Sequence, residues 1–372
     1  MIPYYLLVIY VLLIVILYKS KIIEHDNVKF LLIMIPLFMF AILRGNGKGD
    51  YFAYIDRGEK IKEVADIFDS MKTGMEPGYG FVAYLVYHLG LPRQFVIVLM
   101  NAVSMWLMSK YIKNCSVNWG LSVLLYLPLY FQFDMHAVRT GVSIAICAYA
   151  YRYIKERSLI KYVICVLIAS LFHSIAIISL AAYFLYELKI KMETGLLVLF
   201  IELALIRLLN INYYVGYLLK LLRLEYLGNK LISYTVDKVD LYGYPMPLYD
   251  PRIWIGIGVF FLASNYIHDK TKEKQFFING TFMYAFIMIL LSNTTFFAYR
   301  VSAFYYIYLV VTVPMLISEY QKWNQVMGRY RRLQMYLLCT FFFSALNMAY
   351  ARITMVDYIS VFRSGAGLVP YR

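Results

Sequence analysis

The sequence predicts an all-α polytopic integral membrane protein, with about twelve transmembrane helices and one short re-entrant or interfacial segment. Three observations predict it. Of the 372 residues, 62% are apolar and only 16% are charged, far from the balance of soluble chains. The apolar residues fall into runs that approach the thickness of a bilayer. The excess of Lys and Arg, 36 against 22 acids, is concentrated in short tethers between those runs. Basic tethers of that kind are the mark of cytoplasmic loops, which argues against nucleic acid as a partner.

The opening residues, MIPYYLLVIYVLLIVILYK, lack a basic leader and a small-x-small cleavage site, so they read as a retained first span. Hydropathy marks spans over residues 4–17, 30–43, 94–111, 119–133, 138–154, 161–172, 174–187, 194–209, 252–267, 276–291, 299–317 and 333–350. Residues 78–89 form a further apolar run, too short and too Gly-rich to count as a span. With that run re-entrant, the tethers carrying Lys19, Lys21 and Lys29, Lys110 and Lys113, and Arg152 to Lys161 share one side with Lys189, Lys191, Lys270 to Lys274 and Lys322 to Arg332. By the positive-inside rule that side is cytoplasmic. Both termini, the loops 44–93 and 210–250, and Asp134, His136, Arg139, His173 and Arg300 then face outward. The whole of 1–372 is expected to form a single multispan membrane domain, with the two loops as lids over an outward-facing cavity.

Residues 161–172 rise only about 18 Å at helical pitch, against a hydrocarbon core of roughly 30 Å. They pair with residues 174–187 as a half-depth hairpin or as one long tilted helix, and charge order favours the hairpin, since Arg157 and Lys191 both belong in the cytoplasm. His173 then sits at a turn below the outer surface, lining a cavity open from outside. The first loop begins RGNGKGDYFAY, and Ile61, Val64, Ala65 and Phe68 mark one face of a short amphipathic helix. The second loop is rich in tyrosine, including Tyr226, Tyr234, Tyr242, Tyr244 and Tyr249, which suits a headgroup belt or a sugar ring. Cys147, Cys165 and Cys339 lie in apolar helices and Cys115 in a tether, without a disulfide framework or CxxC signature.

The chemistry centres on residues 132–143, QFDMHAVRTGVS, where one apolar segment ends at Asp134 and the next starts at Val138. A guanidinium in the first turn of a membrane helix opposes the helix dipole and costs roughly 2.5–3.5 kcal/mol at mid-depth, so Arg139 calls for an anion. Helix-start N–H groups and an Arg fork suit a phosphate or diphosphate. The alternative is an interfacial Arg that snorkels to water or pairs with Asp134. The arrangement recurs at Ala298-Tyr299-Arg300-Val301-Ser302, which opens another apolar helix.

No Walker loop, dinucleotide Gly motif, HExxH or GxSxG elbow occurs, which leaves ATP-driven transport, redox chemistry and lipase-type hydrolysis without support. Outward cations, one buried histidine and two carboxylates suit transfer from a phosphate-activated donor to a hydroxyl acceptor. Arg139 and Arg300 would steady the departing diphosphate with charge-assisted bonds of roughly 1.5–3 kcal/mol each. His173 is the candidate base, the alternative being a core histidine satisfied by backbone. His136, beside Arg139, is a second-choice base. Arg44 ends a helix, where a cation is favoured anyway. Asp50 and Glu76 would orient a base, bind an acceptor sugar, or cap turns.

These residues stand in an order that resembles the EpsG family of bacterial exopolysaccharide proteins, a Wzy-like polymerase group. The matching pieces are Arg44 with Gly49-Asp50-Tyr51 and Tyr54, then Glu76-Pro77-Gly78-Tyr79, Arg139-Thr140-Gly141, Phe172-His173-Ser174 and Tyr299-Arg300. They run from Arg44 to Ser302, and residues 352–372 add no recognisable motif. The resemblance implies a GT-C-like multihelical glycosyltransferase. It would join repeat units carried on undecaprenyl diphosphate at the outer face of the bacterial cytoplasmic membrane, in exopolysaccharide, capsule or O-antigen synthesis. It implies no cofactor, nucleotide sugar or metal. The implied partners are the lipid-linked oligosaccharide and membrane lipid, with a chain-length regulator and a flippase of the same pathway left open. Matching positions make Arg44, Asp50, Tyr51, Tyr54, Glu76, Tyr79 and Tyr299 candidate substrate-binding groups beside His173, Arg139 and Arg300, and His136 joins them as the neighbour of Arg139. A flippase of the same lipid-linked sugars, in which no bond is made, and a membrane acyltransferase modifying surface glycan are the alternative functions.

Overall fold

The computed structural model describes residues 1–18, 25–45, 50–69, 74–206, 211–223, 225, 228–229, 232–233, 244–323 and 329–371. Lys19, Lys21, Gly49, Tyr226, Tyr234 and Tyr242 lie outside the described residues. Among those described, the chain is all helical, and β pairing is confined to the isolated bridges Arg44–Ser360 and Pro92–Pro370. In order the helices are α1 (Ile2–Tyr18), α2 (Asp26–Ile42), α3 (Tyr51–Arg57), α4 (Val64–Phe68), α5 (Pro77–His88) and α6 (Phe95–Cys115). They continue with α7 (Trp119–Leu129), α8 (Val138–Tyr149), α9 (Tyr151–Lys155), α10 (Leu159–Phe172), α11 (Ala182–Leu185) and α12 (Met192–Leu205). The remainder are α13 (Ile211–Leu221), α14 (Pro251–Tyr266), α15 (Lys272–Leu290), α16 (Thr295–Trp323), α17 (Arg329–Thr354) and α18 (Val361–Ser364).

Three of these helices contain stretches long and apolar enough to cross a membrane, Phe95–Cys115, Thr295–Gln321 and Leu333–Thr354. Among the described residues each apolar run expected from the sequence carries helix, the one at 174–187 as a 3-10 segment over Ser174–Ala181 followed by α11, but several helices are shorter than a bilayer crossing. The run at residues 78–89 becomes α5, whose 12 residues rise about 18 Å, short of a span as expected.

The chain divides into two compact units, residues 1–180 with 321–372, and residues 181–320. In the first unit α6 packs along α8, α8 along α10, α1 against α17, and α17 against α7. Local chemistry sets the element boundaries. Asn118 caps α7 by accepting the Leu121 N–H. Pro128 cannot donate a backbone hydrogen bond, and the helix relaxes just beyond it into a π turn over Tyr130–Asp134, with Met135 N–H donating to the Tyr130 carbonyl. That turn ends the segment and presents α8 with Arg139 as its second residue.

The hairpin expected at His173 forms. The Tyr162 hydroxyl donates to the Ser179 carbonyl at 2.5 Å, a contact that a straight helix, which would hold those residues about 25 Å apart, cannot make. The amphipathic helix in the first loop also forms, as α4, but its buried face differs from the expected one. Ile61 and Ile67 are buried, whereas Val64 and Phe68 are 58% and 70% exposed. The reason is that Ile61 lies before the helix and Ile67 meets the Cβ-free surface of Gly80.

In the second unit α14 and α15 pack together, with α12 against both and α11 against α15. Asp250 caps α14, accepting the Arg252 N–H at 3.0 Å and gripping the guanidinium at 2.9 and 2.7 Å. Burial opposes ionisation of Asp250, but its bonds to Arg252 outweigh that and hold the carboxyl below its ordinary value. Helix α16 begins at Thr295, one turn before the expected start at residue 299. Arg300 is therefore in its second turn, and the likeness to the Arg139 helix start is only partial.

Candidate active site

Within the first unit, three remote pieces of chain meet around one carboxylate. Glu76 precedes α5 and His173 ends α10. Arg139 Nη1 donates to Glu76 Oε2, and Glu76 Oε1 lies 4.0 Å from His173 Nδ1. A second carboxylate, Asp50 Oδ2, stands 4.0 Å from Arg139 Nη2. The Arg139 and Glu76 side chains are 14% and 23% exposed, so the pair is little screened by solvent. Arg139 Nε is buried and has no hydrogen-bond partner among the described residues.

Neither acid is spent on a helix cap, although each stands at the start of a helix. Asp50 before α3 and Glu76 before α5 make no side-chain cap bond, and both point to Arg139. Asp134 does not serve Arg139. It is buried and accepts from the hydroxyls of Ser104 and Tyr126. The anion that the sequence demanded for Arg139 is thus provided by the first loop.

Glycine at 78 permits the meeting. A Cβ there would sit 2.7 Å from the Leu171 carbonyl oxygen, so only glycine lets α5 touch the end of α10 and bring Glu76 to His173. Glycine at 141 does the same for α8, whose Cβ would lie 2.9 Å from Asp134 Oδ1. His173 is 8% exposed, and the Ile175 N–H lies 3.4 Å from Nδ1.

A floor of tyrosines supports the cluster. The Tyr54 ring lies 5.8 Å from the Arg139 guanidinium carbon, and its hydroxyl is 3.4 Å from Asp50 Oδ2 and 3.5 Å from the Arg139 N–H. Burial pushes the Tyr54 hydroxyl up to about 12 against the pull of Arg139, so it stays protonated at neutral pH. Tyr79 and Tyr371 both donate to the Tyr54 carbonyl, at 2.6 and 3.0 Å. Tyr51 donates to Gln94 Oε1 at 2.9 Å, and Gln94 Nε2 donates to the Ile42 and Arg44 carbonyls. Arg44 is buried with its guanidinium carbon 5.9 Å from the Tyr51 ring. Burial draws Arg44 below its ordinary value, while Tyr4, Tyr54, Tyr51 and Asp50 oppose the shift.

The remaining candidates make other contacts. His136 Nε2 meets Met355 Sδ at 3.1 Å. Arg300 and Tyr299 belong to the second unit, where Arg300 stacks 4.0 Å over Phe296 and Tyr299 carries the Arg252 guanidinium at 5.4 Å. Sequence reasoning missed Gln94 and Tyr371. The first had a readable signal, an amide opening an apolar run. Tyr371 had none.

A part-buried Arg–Glu–His cluster among described residues that are all helical, three of the helices apolar and long enough to cross a membrane, marks a membrane protein with a polar site of its own. A family model matches residues 27–371, and the chain belongs to the EpsG family, a family of Wzy-like polysaccharide polymerases. The match takes in residues 352–371, which the motifs alone did not reach. No curated protein and no solved structure is similar to the chain.

Proposed function

We propose that this protein polymerises oligosaccharide repeat units carried on undecaprenyl diphosphate, at the outer face of the cytoplasmic membrane, for an exopolysaccharide, capsule or O-antigen. The observation that carries the reading is the single carboxylate of Glu76 joined to Arg139 on one side and facing His173 on the other. An acceptor sugar hydroxyl attacks the anomeric carbon of the donor chain. The new glycosidic C–O bond forms as the bond from that carbon to the phosphate oxygen breaks, and the diphosphate leaves with the electron pair. His173 takes the hydroxyl proton, and Glu76 stabilises the imidazolium that results. Arg139 neutralises charge developing on the leaving group. The Nη1–H that Arg139 gives to Glu76 becomes available to a phosphate oxygen once Glu76 turns toward His173. In this reading about twelve helical segments cross or enter the bilayer, and the first loop lies over an outward cavity.

Purified protein supplied with lipid-linked repeat units is expected to produce a ladder of longer glycans. His173→Ala and Arg139→Ala should remain in the membrane and yield no ladder. Ordinary chain lengths from either variant would remove that residue from the mechanism. Transbilayer movement of the lipid-linked unit without elongation would identify a flippase instead.

A further inference from the structure

Helix α3 and the 3-10 turn that follows it have two faces. Tyr51, Tyr54 and Gly58 turn inward toward the candidate site, while Phe52, Asp56 and Glu59, spaced four and three residues apart, turn the other way. That outer face borders an open groove of about 580 Å³, which Ile55, Lys62, Arg93 and Val369 also line. Phe52 is 43% exposed and Val369 45% exposed, and with the buried Ile55 they give the groove three apolar residues beside two acids and two bases.

The lining narrows the choice of ligand. Four ionisable side chains exclude a lipid-facing surface. The balance of two acids and two bases gives no net positive field for a phosphate. A flat aromatic face beside carboxylates suits a sugar ring, whose C–H faces lie on the aromatic and whose hydroxyls donate to the acids. The groove is also firmly built. Arg93 pairs with Glu59, donates from Nε to the Pro370 carbonyl at 3.4 Å, and stands 5.5 Å over the Tyr371 ring. Tyr371 in turn holds the Tyr54 carbonyl, so the groove and the Arg139 cluster share one rigid wall.

We propose that this groove is a glycan subsite, which holds sugars of the repeat-unit chain away from the reacting bond, with Phe52 as stacking platform and Asp56 as hydroxyl acceptor. The identity of the ligand rests on the polymerase reading. The location does not. A natural probe is the glycan freed by mild acid from the lipid-linked repeat units of the producing cells, which has neither lipid nor diphosphate. Full-length protein in nanodiscs should bind it, and Phe52→Ala and Asp56→Asn should each weaken binding about tenfold or more. Arg139→Met should leave that binding within about twofold of wild type while abolishing the glycan ladder. In the ladder assay Phe52→Ala should raise KM and leave kcat unchanged.

Wild-type binding of the freed glycan in both groove variants, or no binding by the wild-type protein, would overturn the subsite. Groove-dependent binding by a protein that makes no ladder would leave the subsite standing and remove the polymerase reading alone.

Discussion

Glu76 is the residue on which the site turns, because its two oxygens serve two different partners. Removing its charge leaves the Arg139 guanidinium with Asp50, 4.0 Å away, as its remaining carboxylate among the described residues, and a broken buried pair costs about 3–5 kcal/mol. Partial exposure of both partners puts Glu76→Gln at the low end, about 3 kcal/mol. Thermal unfolding in detergent should show the corresponding drop in Tm. The double variant Glu76→Gln/Arg139→Met should regain most of that stability, since the pair is removed together, yet still form no long glycan. An unchanged Tm in Glu76→Gln would mean that the pair contributes nothing to the fold. Tyr54 is the complementary case. Burial pushes its hydroxyl up to about 12, and it contacts both Asp50 Oδ2 and the Arg139 N–H, so it orders the two.

At the scale of elements, the site depends on how closely α5, α8 and α10 approach. The short helix α5 buries Tyr79, Ala83 and Val86, and through Gly78 it abuts the end of α10 and sets Glu76 opposite His173. Gly78→Ala must push the two helices apart, since a Cβ 2.7 Å from backbone oxygen cannot be accommodated by a side chain moving aside. Overpacking of that kind costs about 1–3 kcal/mol. Polymerisation should fall about tenfold or more, measured as glycan ladder per unit of folded protein. Gly258→Ala is the control, because α14 leaves open space around that position and Ala is the better helix former. Equal losses in the two variants would show that the close approach at Gly78 is irrelevant. The segment 359–371 acts on the other flank. Gly45 N–H bonds the Ile359 carbonyl, Val361 N–H the Leu43 carbonyl, and Gln94 N–H the Gly367 carbonyl, so this strap fixes the stretch carrying Arg44.

At the scale of the whole molecule, the side of the membrane on which the first loop lies decides whether its groove and the Arg139 cluster meet lipid-linked sugar. A cysteine introduced as Lys62→Cys, in a chain whose four native cysteines are replaced by serine, should react with an impermeant maleimide in intact cells. Labelling only after the membrane is opened would reverse the topology and remove the outer-face reading. Composition and tether charge were enough to establish the all-helical membrane class, because burial in lipid demands continuous apolar runs and closed backbone hydrogen bonding. Arg139, Glu76, Asp50 and His173 were legible as candidates because ionisable groups near apolar runs are costly. Their partnership was not legible. Asp134, five residues before Arg139, was the nearest acid by sequence, yet the carboxylates that reach the guanidinium come from positions 76 and 50. Pairing across such separations is set by helix packing, by the π turn after Pro128 and by the Cβ-free contact at Gly78, none of which leaves a periodic trace in the chain. The sequence by itself determined the solvent each segment can tolerate, and only the tertiary structure decided which charges neutralise one another, because Coulomb attraction depends on distance in space and is blind to distance along the chain.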